Sequence, residues 1–494
     1  MDYDVIIVGS GPVGLMLACE LRLGGVRPLL IERLAEPAGH DRAGALHVRS
    51  VELLDMRGLL ERFLEGNDIV HGLPFAGMFR RGLDFRLLPT RRPFSLLVPQ
   101  SRIEELLTAR ARELDVEIRR EHEVVGLTQQ ADNVELTVRT PAGERLLRAA
   151  YVAGCDGGRS TVRRLANIPF AGTDGHVQAL IGYVTTPEHD VPRRWERTER
   201  GLLVLSFPPE GGIGRVVTVE YDRPRPDREK PVTLDELAAA VTRVRGAELT
   251  LTEPVLWMSR FTDVSRQAEQ YRTGRVLLAG DAAHVHFPIG GQGCNTGLHD
   301  AVNLGWKLAA RIHGWGSPEL LDTYHAERHP AAARVLANTR AQLALMNPDN
   351  DHTSPLRDLV EDLLAYPEAN RHFAAMISGS DVRYLPPEQS GASAHPLLGR
   401  FAGHLSVRLT PLTDLLHDAR GVFIDVLGRP ELRTAAESWK DRVDYVIGSV
   451  DRPIDVDGLL IRPDGYTAWV VPNGGDAHDL RSALRRWFGP PLTN

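Results

Sequence analysis

The run Asp4-Val5-Ile6-Ile7-Val8-Gly9-Ser10-Gly11-Pro12-Val13-Gly14 constrains the fold of this chain more than any other segment. A short β-branched stretch enters three glycines spaced GxGxxG. Helical spacing then continues through Leu15-Met16-Leu17-Ala18 to Leu23 and stops at Gly24-Gly25. A second apolar run, Pro28-Leu29-Leu30-Ile31, ends at Glu32, eighteen residues past Gly14. The spacing predicts a strand–turn–helix–strand unit of the dinucleotide-binding kind, with a carboxylate where two ribose hydroxyls can be accepted. Each glycine has its own task. Gly9 permits the tight turn, Gly11 lets backbone amides approach a pyrophosphate, and Gly14 permits close helix–strand packing, while the positive end of the helix favours the anion. The motif alone does not separate NAD from FAD.

Two later segments repeat the theme of a strand ending at a carboxylate. Ala150-Tyr151-Val152-Ala153-Gly154-Cys155-Asp156-Gly157-Gly158-Arg159-Ser160 opens a helix through Thr161-Val162-Arg163-Arg164. Arg275-Val276-Leu277-Leu278-Ala279-Gly280-Asp281-Ala282-Ala283-His284 does the same. Taken singly, Asp156 and Asp281 read as caps for the helices that follow. Three such turns together can surround one extended cofactor.

With these residues quoted, the chain resembles the class A flavoprotein aromatic hydroxylases, whose signatures are GxGxxG, a DG motif inside GCDGxxSxVR, and a GD motif inside GDAAH. The similarity continues through Pro288-Ile289-Gly290-Gly291-Gln292-Gly293, Asp300-Ala301-Val302-Asn303-Leu304-Gly305-Trp306-Lys307-Leu308 and Tyr324-His325-Ala326-Glu327-Arg328, covering nearly the whole chain. Within the class it is most similar to bacterial hydroxylases that tailor aromatic polyketides such as angucyclines and tetracyclines, and to rifamycin monooxygenases. The resemblance implies FAD as cofactor, with Glu32 and Arg33 at the adenosine end, Arg42 and Gln100 at the pyrophosphate or ribityl region, and Asp281 on the ribityl chain. Asp156 and Arg159 belong to a motif that the family links to both FAD and NAD(P)H.

The loop Pro288–Gly293 precedes an apolar-striped segment from Cys294 to about Ile312, so it delivers a helix N-terminus. Reduced flavin is anionic across N1 and C2=O. Backbone amides near Gly293, Cys294 and Asn295 would stabilise that charge, and the resemblance places the isoalloxazine beside them. Relatives usually carry Leu or Met where Cys294 stands and Gln where His299 stands. A thiol at a helix N-terminus can be activated, but small buried cysteines are inert, and the inert reading is preferred here. His284 and His286 have HxH spacing without a third histidine close in sequence, so packing and hydrogen bonding explain them better than a metal.

Composition sets the limits. At 494 residues and 43% hydrophobic content the chain exceeds one core, so two or three domains are expected. Net charge is −7 with no concentrated basic surface, which argues against nucleic acid as partner. Lysine occurs only as Lys230, Lys307 and Lys440, the rest of the 58 cations being arginine, a bias that fits a GC-rich coding genome better than a function. Cys19, Cys155 and Cys294 form no CxxC pair, which argues against a disulfide framework or a zinc site. The start Met1-Asp2-Tyr3-Asp4 has no basic leader and no later stretch is apolar enough for a membrane span, so a cytoplasmic protein is expected.

The expected fold class is α/β: a GxGxxG Rossmann-type FAD domain (1–175 and 271–394, with 74–100 contributing to the substrate side), an antiparallel-sheet substrate domain (176–270), and a C-terminal domain (395–494). Alternating runs such as Gly201–Phe207 and Gly214–Val219 signal the sheet. Phe79, Phe85 and Phe94 could stack on a planar substrate, but core packing is the commoner fate of phenylalanine. The tail, with runs Gly421–Val426 and Arg442–Ile447, a hairpin around Arg462–Tyr466 and a helix ending near Trp487, resembles the thioredoxin-like tail of these hydroxylases. Lacking CxxC, it is left a structural or homodimerisation role.

Only one dinucleotide fingerprint is present, so NADPH or NADH is expected to dock transiently. The resemblance implies that reduced FAD captures O2 as a C4a-hydroperoxide that attacks an electron-rich ring carbon of a bulky aromatic substrate. The protein would supply positioning, water exclusion and electrostatics, and no single catalytic side chain is assigned. The alternatives are antibiotic inactivation of the rifamycin type, Baeyer–Villiger insertion on the same scaffold, and a non-catalytic flavin-binding protein. A flavin halogenase lacks its WxWxIP signature here.

Overall fold

In a computed structural model, residues 2–37, 39, 43–188, 191, 194–208, 212–221, 230–348, 351–385, 395–451, 455–474 and 477–492 are described. The first unit is built on β1 (Tyr3–Val8), α1 (Pro12–Leu23) and β2 (Pro28–Ile31), followed by α2 (Gln100–Glu113), β3 (Glu117–Arg119) and the long β4 (Gly143–Gly154). Val5, Ile6, Ile7 and Leu29 to Ile31 are fully buried, as expected of strands covered on both faces. β1 pairs in parallel with both β4 and β2, β2 with β3, and β4 with the strand Val276–Leu278. The C-terminal ends of β1, β4 and Val276–Leu278 therefore open at one edge, where ligands of open α/β sheets bind.

The second sheet is wholly antiparallel. It comprises β5 (Gln178–Thr185), β6 (Arg194–Thr198), β7 (Gly201–Ser206), β8 (Gly214–Glu220) and β9 (Thr252–Phe261), in the order β6-β7-β8-β5-β9. The two-residue period splits its side chains. Leu180, Val184, Leu203, Leu205 and Val216 pack under α3 (Leu234–Arg245), while Ala179, Ile181, Val204, Val217 and Val219 join a different core with Phe75, Phe85 and Phe287.

Two long helices, α4 (Gln292–Ile312) and α5 (Pro318–Met346), carry the chain towards its tail. There β10 (Gly421–Asp425) pairs in parallel with β11 (Val443–Ile447) and antiparallel with β12 (Val456–Ile461), which forms a hairpin with β13 (Thr467–Pro472). The last helix is α6 (Ala477–Phe488). Trp306 and Ala310 of α4 enter the tail's own core of Phe423, Leu460, Trp487 and Phe488.

Polar burial reinforces that join. The Arg57 guanidinium sits between the Glu20 carboxylate (2.6 and 2.8 Å) and the backbone oxygens of Leu416 and Pro463. Arg462 spans Glu327 and Asp464, and Lys307 donates to Glu327 at 2.7 Å. No helix among the described residues is long and apolar enough to cross a membrane.

Candidate functional site

The GxGxxG turn shows three different constraints. Gly9 has φ +106°, and a Cβ there would lie 2.5 Å from the Cys155 carbonyl oxygen. A Cβ at Gly14 would lie 2.0 Å from the Gly9 oxygen. Gly11 has ordinary extended dihedrals (φ −72°, ψ 179°), and a Cβ there would meet nothing within 4 Å. Gly9 and Gly14 are thus required by packing, whereas Gly11 is open towards a cavity that it lines with Pro12 and Val13. α1 has no side-chain cap, so its amides are directed at that space. Glu32 closes β2: it accepts from the Ser10 amide (2.9 Å) and the Leu34 amide (3.0 Å) and lies behind the cavity wall, while exposed Arg33 lines it.

The two aspartates divide the roles that the sequence left open. One Asp156 oxygen accepts the Thr161 and Val162 amides at 2.7 and 3.1 Å and so caps the following helix. Its other oxygen is buried on the cavity side without a partner among the described residues. Asp281 caps nothing; it is exposed on the cavity wall and makes no hydrogen bond among the described residues. Arg159 shares that wall.

Asp281 is held in place from beneath. Buried Asp300 accepts from the Gly280 amide (3.1 Å), His284 Nε2 (2.7 Å) and Arg328 Nε (2.7 Å). Burial would raise the Asp300 carboxyl, but Arg328 and His284 outweigh it and hold it below the usual range. His286 Nδ1 donates to the Phe287 carbonyl at 2.8 Å, which leaves Nε2 as a buried acceptor without a partner among the described residues; burial keeps the ring neutral. Among the described residues no cluster of three or more His, Cys, Asp or Glu is arranged to hold a metal ion.

The glycine loop delivers another uncapped helix N-terminus. Gly290 and Gly291 are left-handed (φ +70° and +63°), and Pro288, Gly293 and Cys294 line the cavity. Asn295 lies behind the wall, where its side chain acts as a clamp: Nδ2 donates to Ala45 O (3.1 Å) and Gly291 O (2.8 Å), and Oδ1 accepts from the His47 amide (2.7 Å). His47 completes the clamp, with Nε2 donating to Gly290 O (2.7 Å) and Nδ1 accepting from Ser95 Oγ (3.0 Å). Burial lowers its ring to about 4. Sequence reasoning missed His47; the available signal was a histidine at the start of the helix Val48–Met56.

Burial pushes the Cys294 thiol up to about 12, in keeping with the inert reading. His299 is neutral through burial and shares a hydrogen bond with Ser50 Oγ (3.1 Å). Gln100 lines the cavity, accepting from the Ala43 amide (3.3 Å) and donating to Glu104 (2.8 Å). Arg42 lies outside the described residues.

The lining groups, among them Gly11, Arg33, Gln100, Asp156, Asp281 and Cys294, border one cavity of about 1930 Å³ that runs on to the second sheet. There Ile181, Val204, Arg215, Trp257 and Phe261 form the wall. Phe85 and Phe94 are core residues instead, and the Phe79 side chain lies outside those described. Trp257 and Phe261 of β9, four residues apart and so on one face of the strand, were the sequence signal of this aromatic wall.

Residues 2–339 match the family described as FAD binding domain, and residues 395–491 that described as aromatic-ring hydroxylase, C-terminal. The 12-dehydrotetracycline 5-monooxygenase/anhydrotetracycline 6-monooxygenase of Streptomyces rimosus is 48% identical, over 99% of this chain and 100% of its own. A rifampicin monooxygenase of Streptomyces venezuelae is 43% identical, over 99% of each chain. The structure of the anhydrotetracycline hydroxylase OxyS from Streptomyces rimosus superposes with a TM-score of 0.92 at 47% identity, over 100% of both chains.

Proposed function

The chain belongs to the FAD-binding aromatic-ring hydroxylases, a family of flavin monooxygenases, and from that premise we propose that it hydroxylates a bulky aromatic polyketide-type substrate using NAD(P)H and O2. The carrying observation is the single continuous cavity. A pocket for one small ligand measures roughly 300–1,000 Å³, whereas about 1930 Å³ leaves room for a cofactor and a large planar substrate side by side.

The residues present fit FAD. Gly11 is open to a pyrophosphate, two uncapped helix ends favour anionic groups, and Asp281 offers an unengaged carboxylate to ribityl hydroxyls. Glu32 and Arg33 would hold the adenosine end, and the amides near Gly293 and Cys294 the pyrimidine edge. Bound FAD would supply electron transfer from NAD(P)H and the activation of O2. This chain contributes the rest: the Asp300–His284–Arg328 network fixes the Asp281 turn, the His47–Asn295 clamp fixes the glycine loop, and Trp257 and Phe261 orient the ring and exclude water. Residues 1–175 and 271–394 thereby act as cofactor unit, 176–270 as substrate unit, and 395–494 as a thioredoxin-like structural unit without redox thiols.

The test is NADPH oxidation in air with anthraquinone, angucycline, tetracycline and rifamycin compounds, followed by mass spectrometry. A compound that accelerates oxidation and gains one oxygen supports the proposal. A flavoprotein indifferent to every compound overturns the assigned activity but not FAD binding. Ring opening or ester formation in the product would move the reading to inactivation or Baeyer–Villiger chemistry.

A further inference from the structure

The cavity face of the second sheet is ordered in rows by its register. Leu202, Val219, Ala179 and Phe261 lie side by side, then Trp195, Val204, Val217, Ile181 and Ser259, then Ser206, Arg215, Tyr183 and Trp257. The first row approaches the glycine loop, since Phe261 meets the Phe287 ring at 5.5 Å. The third row places a guanidinium in an otherwise uncharged row. Arg215 lines the cavity, and its Nε is buried without a hydrogen-bond partner among the described residues. Neither of its terminal nitrogens makes an ion pair among the described residues. The other sheet-wall cation, Arg260, is held by Glu236 through two bonds of 2.7 and 2.9 Å. No carboxylate of the second sheet faces the cavity among the described residues; its acidic members are Asp156, Asp174 and Asp281, and Asp174 is taken by Arg266.

A half-buried cation with unused donors beside an aromatic wall has one fitting complement: a flat ring system bearing an anionic oxygen. We propose that Arg215 is a specificity-determining residue that receives the ionised phenol or enol oxygen of the substrate. This rests on the aromatic-substrate reading above and adds the acidic group that the substrate must carry. Its planar, delocalised fork lies flat beside an aromatic ring system while donating to the ionised oxygen, which a lysine does not reproduce. A Cβ at Gly44 would lie 3.5 Å from Arg215 Nη1, so the guanidinium sits where the sheet meets the cofactor-side wall and fixes how far an anionic substrate slides inwards.

The experiment titrates FAD-loaded wild type, Arg215→Gln and Arg215→Lys with 2-hydroxyanthraquinone and with its neutral methyl ether, 2-methoxyanthraquinone, following the flavin absorbance, and measures FAD affinity in parallel. Wild type should bind the hydroxy compound more tightly as pH rises through that compound's own ionisation. Arg215→Gln should bind it roughly tenfold to a hundredfold more weakly and lose that pH dependence, with the methyl ether and FAD unaffected. Arg215→Lys should fall between them and serves as a second folded variant. Equal losses for both compounds, no pH dependence in wild type, no binding of the hydroxy compound to wild type, or a weakened FAD complex would each overturn the proposal, the last because the guanidinium would then serve the cofactor. If the selectivity appears but no compound is ever oxygenated, the inference stands and the assigned activity falls.

Discussion

Replacing Glu327 by Gln should loosen the tail from the rest of the protein by about 3–5 kcal/mol. The Glu327 side chain is only 10% exposed and accepts from Arg462 at 2.6 and 2.9 Å, Lys307 at 2.7 Å and Asn303 at 2.7 Å. Burial raises its carboxyl, but Arg462 and Lys307 outweigh that and bring it from 4.5 to about 2. Linkage turns that depression into about 3 kcal/mol of stability at neutral pH. The carboxyl is depressed, so this stability is fully present above about pH 4.5 and is lost as pH falls towards 2. The independent cost of breaking a buried ion pair is roughly 3–5 kcal/mol, so the two routes agree. The amide variant also leaves Lys307, already lowered to about 8 by burial, without its carboxylate. The assay is urea unfolding at pH 7 followed by tryptophan fluorescence, since Trp306 Nε1 donates to Asp464 at 3.2 Å within the same network. With a slope of roughly 3 kcal/mol/M, the midpoint of the transition reporting the tail should fall by about 1 M or more. An unchanged midpoint at pH 7 would refute the reasoning, because a buried carboxylate paired with two cations could not then be contributing to the fold.

Gly11→Val should leave unfolding unchanged, as a Cβ there meets nothing within 4 Å, yet weaken FAD by about 1–3 kcal/mol, the cost of overpacking a contact; an unchanged FAD affinity in a fluorescence titration would contradict it. Asp281→Ala, at an exposed residue with no hydrogen bond among the described residues, should shift stability by less than about 0.5 kcal/mol while weakening FAD roughly tenfold or more in a fluorescence titration. His47 is lowered from 6.5 to about 4 by burial, so its effect is absent above pH 6.5, and as pH falls from 6.5 to 4 only the unfolded chain takes up the proton, costing up to about 3 kcal/mol. His47→Gln, which can still donate and accept, should flatten that acid slope in urea midpoints measured at pH 7 and pH 4.5.

Much of the cofactor side was legible because its residues act through the backbone near their own position. Gly9 and Gly14 are required by contacts within one turn, and each acidic turn announces itself where a buried strand stops. The difference between Asp156 and Asp281 was not legible. Both follow a strand and line the cavity, but only the path of the following chain decides that one carboxylate is half taken by two amides and the other is left unengaged. The phenylalanines of the early segment carried no signal of their side; Phe85 is enclosed by residues far along the chain.

The sequence by itself determined the local devices: the glycine turn, the alternating strands, the helix delivered by the loop before Gln292, and the absence of redox thiols in the tail. These follow from dihedral freedom and side-chain period, which act over a few residues. The tertiary structure decided everything that joins distant segments: the clamp of His47 on Asn295 and Gly290, the support of the Asp281 turn by Asp300 and Arg328, and the rows that set Arg215 beside Trp257. Burial and pairing are properties of where chains meet, so a histidine at position 47 or an arginine at position 215 gains its chemistry only when another part of the chain closes over it.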